Sequence, residues 1–182
     1  FYVAGSIKTW RINHDFDKAV VSHLQEVLGI DRVISTLLVQ RGISDYNQSK
    51  EFFRPDLNNL HDPFLMKGMK EAVERINISL SENEKILVFG DYDVDGTTSV
   101  ALFYSFLKNF INNVEFYIPD RYKEGYGVSF QAIDYAVEKN CKLIVALDCG
   151  IKSVDHVAYA KSKGIDFIIC DHHLPGEVLP DA

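Results

Sequence analysis

Residues 85–96 read KILVFGDYDVDG, an apolar run followed at once by three closely spaced aspartates. The apolar run is rich in β-branched and aromatic residues, as is typical of a buried strand. Three more runs of this kind follow it, at 114–118, 143–147 and 166–170. Apolar strands that alternate with helices indicate a parallel sheet with helices on both faces. The sequence therefore predicts an α/β fold.

Helical patterns fill the rest of the chain. Between the strands, apolar residues recur at helical spacing over 97–111, 129–139 and 153–163. Upstream, we predict a helix that begins at Asp31 as its N-cap, a helix over 44–53 and an amphipathic helix over 65–80. The first of these should turn its apolar residues inward, namely Val33, Ile34, Leu37 and Leu38. We therefore expect a helical segment over 1–80 that packs on the sheet, and a sheet domain over 81–182 that is incomplete at its C-terminal end.

The composition indicates a folded protein whose net negative charge argues against non-specific coating of DNA. Of the 182 residues, 47% are hydrophobic and 25% are charged, which argues against disorder, and the net charge is -7. No apolar run approaches the roughly 18 residues of a transmembrane helix. The three cysteines, at 141, 149 and 170, form no CxxC pair and fit a reducing cytoplasm. We expect a cytoplasmic protein without a membrane segment.

Acids and histidines follow three of the four predicted strands at their carboxyl ends. The segments are DYDVDG at 91–96, DCG at 148–150 and DHH at 171–173. Ligands bind at this edge of parallel sheets, and so many carboxylates repel one another unless a cation lies between them. Mixed carboxylate and imidazole ligands suit Mn²⁺, Mg²⁺ or Zn²⁺. A role as turn formers and helix caps explains any one of these acids, but accounts poorly for three strand ends together.

Two other interpretations of residues 91–96 fail on spacing. An EF-hand calcium loop needs a bidentate Glu at its twelfth position, where this chain has Leu102, and a helix before it. A phosphate-binding P-loop needs four residues between its glycines and then a lysine. Here five residues separate Gly90 from Gly96, and Thr97 stands in place of the lysine. The adjacent His172 and His173 should point in opposite directions, because successive residues leave a strand on opposite sides.

A loop at 119–127, PDRYKEGYG, follows the second predicted strand. Its two glycines flank an aromatic residue and indicate a backbone that comes close to a ligand. Arg121 has the planar donor group that suits phosphate, and Tyr122 or Tyr126 has a ring on which a base can stack. An ordinary surface turn is the alternative.

The motifs resemble a known superfamily. GDYDVDGTTS at 90–99, LDCG at 147–150 and DHH at 171–173 are similar to motifs I, II and III of the DHH phosphoesterases. Longer segments resemble the RecJ family of single-strand-specific exonucleases, at residues 37–45, 61–76, 117–128 and 171–177. The resemblance runs from about residue 10 to the end of the chain.

The resemblance assigns roles to individual residues. It implies that the metal ligands are Asp93, Asp95, Asp148 and His172, with Asp148 bridging two cations. It implies that Asp171 and His173 are catalytic, orienting the site and handling phosphate or protons. We assign substrate binding to Arg121, Tyr126 and Asp91.

The resemblance also implies an activity. Members of this family use two divalent cations, Mn²⁺ or Mg²⁺, and degrade single-stranded DNA from the 5′ end in repair and recombination. The implied partners are single-stranded DNA, a single-strand-binding protein and a helicase. The family's fourth motif would lie beyond Ala182, so we expect an N-terminal fragment with little or no activity by itself. The alternatives are a phosphodiesterase of short oligonucleotides or small phosphoesters, and a non-enzymatic replication scaffold.

Overall fold

The computed structural model describes Thr9 and residues 11–182. The chain divides into two compact units between Asp62 and Pro63. The first unit contains three helices: α1 (Lys18–Leu28), α2 (Arg32–Val39) and α3 (Tyr46–Phe53). Short 3₁₀ turns lie at Leu57–Asn59 and Pro63–Leu65. Within the part of the chain described, none of the helices has the length and apolar character that crossing a membrane requires.

Aspartates begin all three helices of the first unit. Asp17, Asp31 and Asp45 accept backbone hydrogen bonds from the first turns that follow them, at 2.7 Å, 2.7 Å and 2.9 Å. The predicted N-cap at Asp31 is therefore confirmed.

The predicted inward face of α2 is wrong in three of its four positions. Leu38 is buried, but Val33, Ile34 and Leu37 are 66%, 44% and 45% exposed. The buried face of α2 consists of Leu38 and Ser35, whose hydroxyl donates to the Asp31 carbonyl at 3.1 Å. The helix thus turns a narrower face inward than its apolar pattern predicts.

The second unit contains α4 (Met69–Ser81) and alternating strands and helices. These are β1 (Lys85–Gly90), α5 (Val94–Leu107), β2 (Val114–Tyr117), α6 (Phe130–Glu138), β3 (Cys141–Leu147), α7 (Val154–Ser162) and β4 (Asp166–Cys170). The sequence prediction placed α4 with the N-terminal segment, whereas the contacts group it with the sheet. Its Arg75 binds Glu84 at 2.8 Å, and also Asp166 and the Lys142 carbonyl. The functional domain boundary after residue 80 stays a prediction.

The sheet is parallel throughout, with strand order β2-β1-β3-β4. One face carries Leu87, Phe89, Ile144 and Ala146 and is covered by α6 and α7. The opposite face carries Ile86, Val88, Leu143 and Val145 and is covered by α5 and by Ile76 and Leu80 of α4. The predicted α/β fold, a parallel sheet with helices on both faces and helices before it, is confirmed.

The first strand and the helix after it come into close contact. A Cβ on Gly96 would lie 2.6 Å from the Asp91 backbone nitrogen, and one on Gly90 would lie 2.7 Å from the Gly96 carbonyl oxygen. Only glycine fits at both positions, so α5 starts directly against the end of β1. This packing holds the acids of residues 91–95 at the carboxyl edge of the sheet.

Candidate metal centre

The ends of β3 and β4 bring three metal-binding side chains together. One ligand atom from each of Asp148, His172 and His173 lies within 4.8 Å of the other two. The Asp148 side chain is 9% exposed, and its Oδ1 is 2.9 Å from Nε2 of His172, which is 76% exposed. One nearly buried carboxylate and two accessible imidazoles form a set that suits a divalent cation.

The backbone of Asp148 explains where its carboxylate points. The residue has a φ of 60°, in the left-handed region that aspartate tolerates better than most side chains. Its N–H still donates to the Cys170 carbonyl at 2.8 Å. The chain thus turns sharply at the last hydrogen bond between β3 and β4, and the carboxylate faces the two histidines.

The predicted divergence of His172 and His173 is wrong. Strand β4 ends at Cys170, so the alternation of side chains along a strand does not extend to the two histidines. Their ring centroids are 4.8 Å apart, and both rings face Asp148.

Asp171 holds His173 in this orientation. The Asp171 side chain is 2% exposed, and its Oδ1 is 2.7 Å from His173 Nδ1. It also accepts backbone hydrogen bonds from His173 at 3.0 Å and from Ile151 at 2.9 Å. Burial opposes ionisation of Asp171, but these hydrogen bonds outweigh it and hold its pKa below the usual value. The bond to Asp171 in turn raises the pKa of His173 and leaves its Nε2 facing the site.

The acids that follow β1, Asp93 and Asp95, lie at the start of α5. Asp93 is the N-cap of α5, and its Oδ1 accepts from the Gly96 N–H at 2.9 Å. Asp95 lies in the first turn of the same helix with its side chain exposed. Both lie outside the group formed by Asp148 and the two histidines. The charge of Asp93 nevertheless contributes to the raised pKa of His173, so Asp93 borders that group.

Asp91 lies behind the site. It is 0% exposed, its Oδ1 accepts from the Tyr92 N–H at 2.7 Å, and its Oδ2 has no hydrogen-bond partner among the described residues. Burial raises the pKa of Asp91, and the charges of Asp93 and Asp148 add to the shift. The substrate contact predicted for Asp91 stays a prediction; in this structure its side chain is fully buried. A buried acid with one unpartnered oxygen, next to Asp93 and Asp148, does fit an edge that binds cations.

The loop after β2 borders the same site. The Tyr126 hydroxyl lies 3.5 Å from His173 Nε2. The Arg121 guanidinium lies 5.2 Å from the centre of the Tyr92 ring, and that ring meets Tyr126 edge-on at 6.0 Å. Tyr122 is 93% exposed. The structure thus joins Arg121 and Tyr126 to the site through Tyr92, a residue that the sequence analysis missed. Its position between two acids of the first motif was the available signal.

Comparison with known proteins agrees with this geometry. A model of the N-terminal domain of the DHH family matches residues 85–182. The chain belongs to the DHH family. Among curated proteins, it is 43% identical over 172 residues to the single-stranded-DNA-specific exonuclease RecJ of Bacillus subtilis (strain 168), covering 94% of this chain and 22% of that protein. It is 40% identical over 118 residues to RecJ of Escherichia coli (strain K12), covering 64% of this chain and 20% of that protein.

Solved structures of RecJ proteins are also similar. An exonuclease RecJ bound to manganese is 34% identical with a TM-score of 0.59, covering 63% of this chain and 30% of that one. RecJ from Thermus thermophilus in complex with Mn²⁺ is 26% identical with a TM-score of 0.66, and the match covers 90% of this chain and 22% of that one. The resemblance to RecJ that the motifs indicated is confirmed. The chain spans about a fifth of the length of these curated relatives.

Proposed function

We propose that this DHH domain is the catalytic part of a metal-dependent exonuclease that hydrolyses single-stranded DNA from its 5′ end. The observation that carries the proposal is the convergence of Asp148, His172 and His173 at the carboxyl edge of the sheet. The similarity to single-stranded-DNA-specific RecJ exonucleases supports the substrate. A role in DNA repair and recombination belongs to the same proposal.

The proposed ligands of two divalent cations, Mn²⁺ or Mg²⁺, are Asp93, Asp95, Asp148 and His172. Asp148 is the proposed bridge, because its carboxylate is nearly buried and faces both the histidines and the β1 edge. Two similar structures hold manganese. A pair of divalent cations in such a site activates water and stabilises the charge on the leaving oxygen.

His173 is the proposed proton carrier and phosphate contact. Asp171 occupies its Nδ1, so Nε2 is the atom left to exchange a proton at the site. The same hydrogen bond favours the protonated ring, which suits contact with a negatively charged phosphate. Asp171 thus acts by orienting and charging His173.

Arg121 and Tyr126 are the proposed contacts for the end of the DNA strand. Arg121 is exposed and offers a planar set of donors beside an acidic edge, where the protein otherwise repels phosphate. Tyr126 is 57% exposed with its hydroxyl near His173, so its ring is available for a base next to the scissile bond.

The proposed partners are single-stranded DNA, a single-strand-binding protein and a helicase, and the proposed location is the cytoplasm. Their basis is the resemblance to RecJ.

A substrate comparison tests the proposed function. The full-length protein that contains this domain is incubated with long single-stranded DNA labelled at the 5′ or the 3′ end, with duplex DNA and with dinucleotides, each with Mn²⁺ or with chelator. We expect Mn²⁺-dependent release of mononucleotides from the 5′ end of the long single strand. Preference for dinucleotides would favour a small-substrate phosphodiesterase. Absence of metal-dependent hydrolysis on every substrate would contradict the proposal.

A further inference from the structure

Glu124 lies at the centre of the loop between β2 and α6. Its Oε1 accepts from the Asp120 N–H at 2.8 Å, and its Oε2 accepts from the Ser129 hydroxyl. The Tyr117 hydroxyl lies 3.0 Å from each of the two oxygens. One half-buried carboxylate therefore joins the end of β2, the start of the loop and the start of α6.

Both hydroxyl donors are themselves fixed. The Ser129 oxygen accepts from the Ala132 N–H at 3.1 Å and so caps α6. The Tyr117 ring packs against Phe89 and Tyr135, with ring centroids 6.1 Å and 5.2 Å away. Because these groups belong to the strand, the helix and the core, the position of Glu124 is set by the fold rather than by the loop.

The segment from Glu124 to Gly127 leads directly to the candidate metal centre. Gly125 and Gly127 have φ values of 84° and 83°, a backbone conformation that favours glycine on each side of Tyr126. The Gly127 N–H lies close enough to Asp91, behind the site, to lower the pKa of its carboxyl, against the larger effect of burial, which raises it. The only side chain between the two glycines is thus held between Glu124 on one side and Asp91 on the other, with its hydroxyl 3.5 Å from His173.

We propose that Glu124 is a positioning residue for the exonuclease reaction, which places Tyr126 against His173 and the DNA strand without touching the substrate itself. This inference rests on the function proposed above. A carboxylate suits the role, since its two oxygens accept from one backbone N–H and two hydroxyls, and none of these groups needs a donor from residue 124. Loss of these bonds frees the loop while the metal ligands stay in place.

The test measures KM and kcat on single-stranded DNA in the full-length protein for Glu124→Ala and Glu124→Gln, each alone and combined with Tyr126→Ala. We expect Glu124→Ala to raise KM about tenfold with a smaller change in kcat. The reason is that Tyr126, on which a DNA base is proposed to stack, is then no longer held in position. In the Tyr126→Ala background, the same substitution should change KM less than about twofold, because the two residues act as a unit. Glu124→Gln, which keeps the shape but offers donors to two hydroxyls, should lie between. Glu138→Ala, on the exposed side of α6, is the control.

A second readout does not depend on activity. Amide hydrogen exchange over residues 120–129 should accelerate in Glu124→Ala and, less strongly, in Glu124→Gln, while Mn²⁺ binding stays unchanged. Additive effects of Glu124→Ala and Tyr126→Ala on KM, or unchanged exchange in both Glu124 variants, would overturn the inference. If the alanine variant fails to fold, Glu124→Gln decides by the same two readouts. A wild-type protein that does not cleave DNA would refute the proposed function, and hydrogen exchange would still judge the role of Glu124 in the loop.

Discussion

The two halves of the acidic sheet edge differ in what their side chains do. At the ends of β3 and β4, Asp148, His172 and His173 turn their ligand atoms toward one another, and a separate residue, Asp171, fixes the orientation of His173. At the end of β1, Asp93 caps a helix, and Asp91 is buried behind the site. The β3–β4 half therefore brings candidate metal ligands together, whereas in the β1 half the proposed ligand Asp93 also begins α5. Substitutions in the β3–β4 half should therefore reduce activity, whereas substitution of Asp93 in the β1 half should reduce both activity and stability.

The largest effect is expected in the β3–β4 half. Asp148→Ala should reduce nuclease activity by at least ~10³-fold, because it removes a ligand proposed to bridge both cations. Asp148→Asn tolerates the left-handed backbone better than alanine, so comparison of the two variants separates the loss of the ligand from backbone strain. The measurement is the exonuclease rate of the full-length protein at saturating Mn²⁺, with Asp155→Ala, at an exposed position, as control. Undiminished activity in Asp148→Ala would contradict the proposed site.

In the β1 half, substitution of Asp93 by alanine should lower both activity and stability, whereas substitution of Asp95 should lower activity with little change in stability. Asp93→Ala should lower activity by about 10²-fold or more and lower the free energy of unfolding by roughly 1 kcal/mol, because it removes both a proposed ligand and an N-cap. Asp93→Asn keeps a good capping side chain and should lose activity alone. Asp95→Ala, which removes no cap, should also leave most of the stability. Urea unfolding and nuclease rates measured on all three variants check this, and equal stability of Asp93→Ala and Asp93→Asn would refute the capping argument.

The aromatic loop lies beside both halves and should affect DNA affinity more than chemistry. Arg121→Ala and Tyr126→Ala should each weaken binding of single-stranded DNA by about 10- to 100-fold, as expected for a charge-assisted phosphate contact and a stacked base. Tyr122→Ala is a matched control in the same loop, because its side chain is 93% exposed and lies outside the aromatic group at the site. Affinities are measured by fluorescence anisotropy with Ca²⁺ in place of Mn²⁺. If all three variants bind DNA like the wild type, the loop is an ordinary surface turn.

The smallest expected effect is a difference in pH dependence between the halves. The lowered pKa of Asp171 means that it stabilises the fold above pH 3.8, and this stabilisation is lost as pH falls through its folded pKa. The raised pKa of Asp91 has the opposite sign: its favourable contribution is complete below pH 3.8 and is lost as pH rises through its folded pKa. In chelator, Asp171→Asn should therefore lose stability relative to wild type as pH rises from acid to neutral, whereas Asp91→Asn should gain. Urea unfolding at several pH values measures both trends, and the same sign for both variants would contradict the comparison.

The sequence predicts elements well where a pattern is repeated and predicts side-chain direction poorly where the backbone turns. The predicted strands at 85–90 and 166–170 match β1 and β4, because buried parallel strands are continuous apolar runs. The edge on which the acids lie follows from the same topology. The convergence of His172 and His173 does not follow, because it depends on where β4 ends and on the left-handed turn at Asp148.

Burial was also only partly predictable. The apolar face of α2 was assigned by helical spacing, but spacing does not say how wide a face its neighbours cover. The complete burial of Asp91 was not predicted either, and it follows from the close approach of α5 to β1. Both features concern tertiary packing, which single-sequence patterns do not contain.

The most direct test of the central claim is thermal unfolding with and without Mn²⁺ for wild type, Asp148→Asn and Asp155→Asn. A cation that binds only the folded protein stabilises it by about 2.7 kcal/mol at a concentration roughly 100 times its Kd, which is several degrees in Tm for a chain of this size. We expect this rise for wild type and Asp155→Asn, and little or none for Asp148→Asn. An equal rise in all three proteins would show that the cation binds elsewhere and would contradict a metal centre built on Asp148.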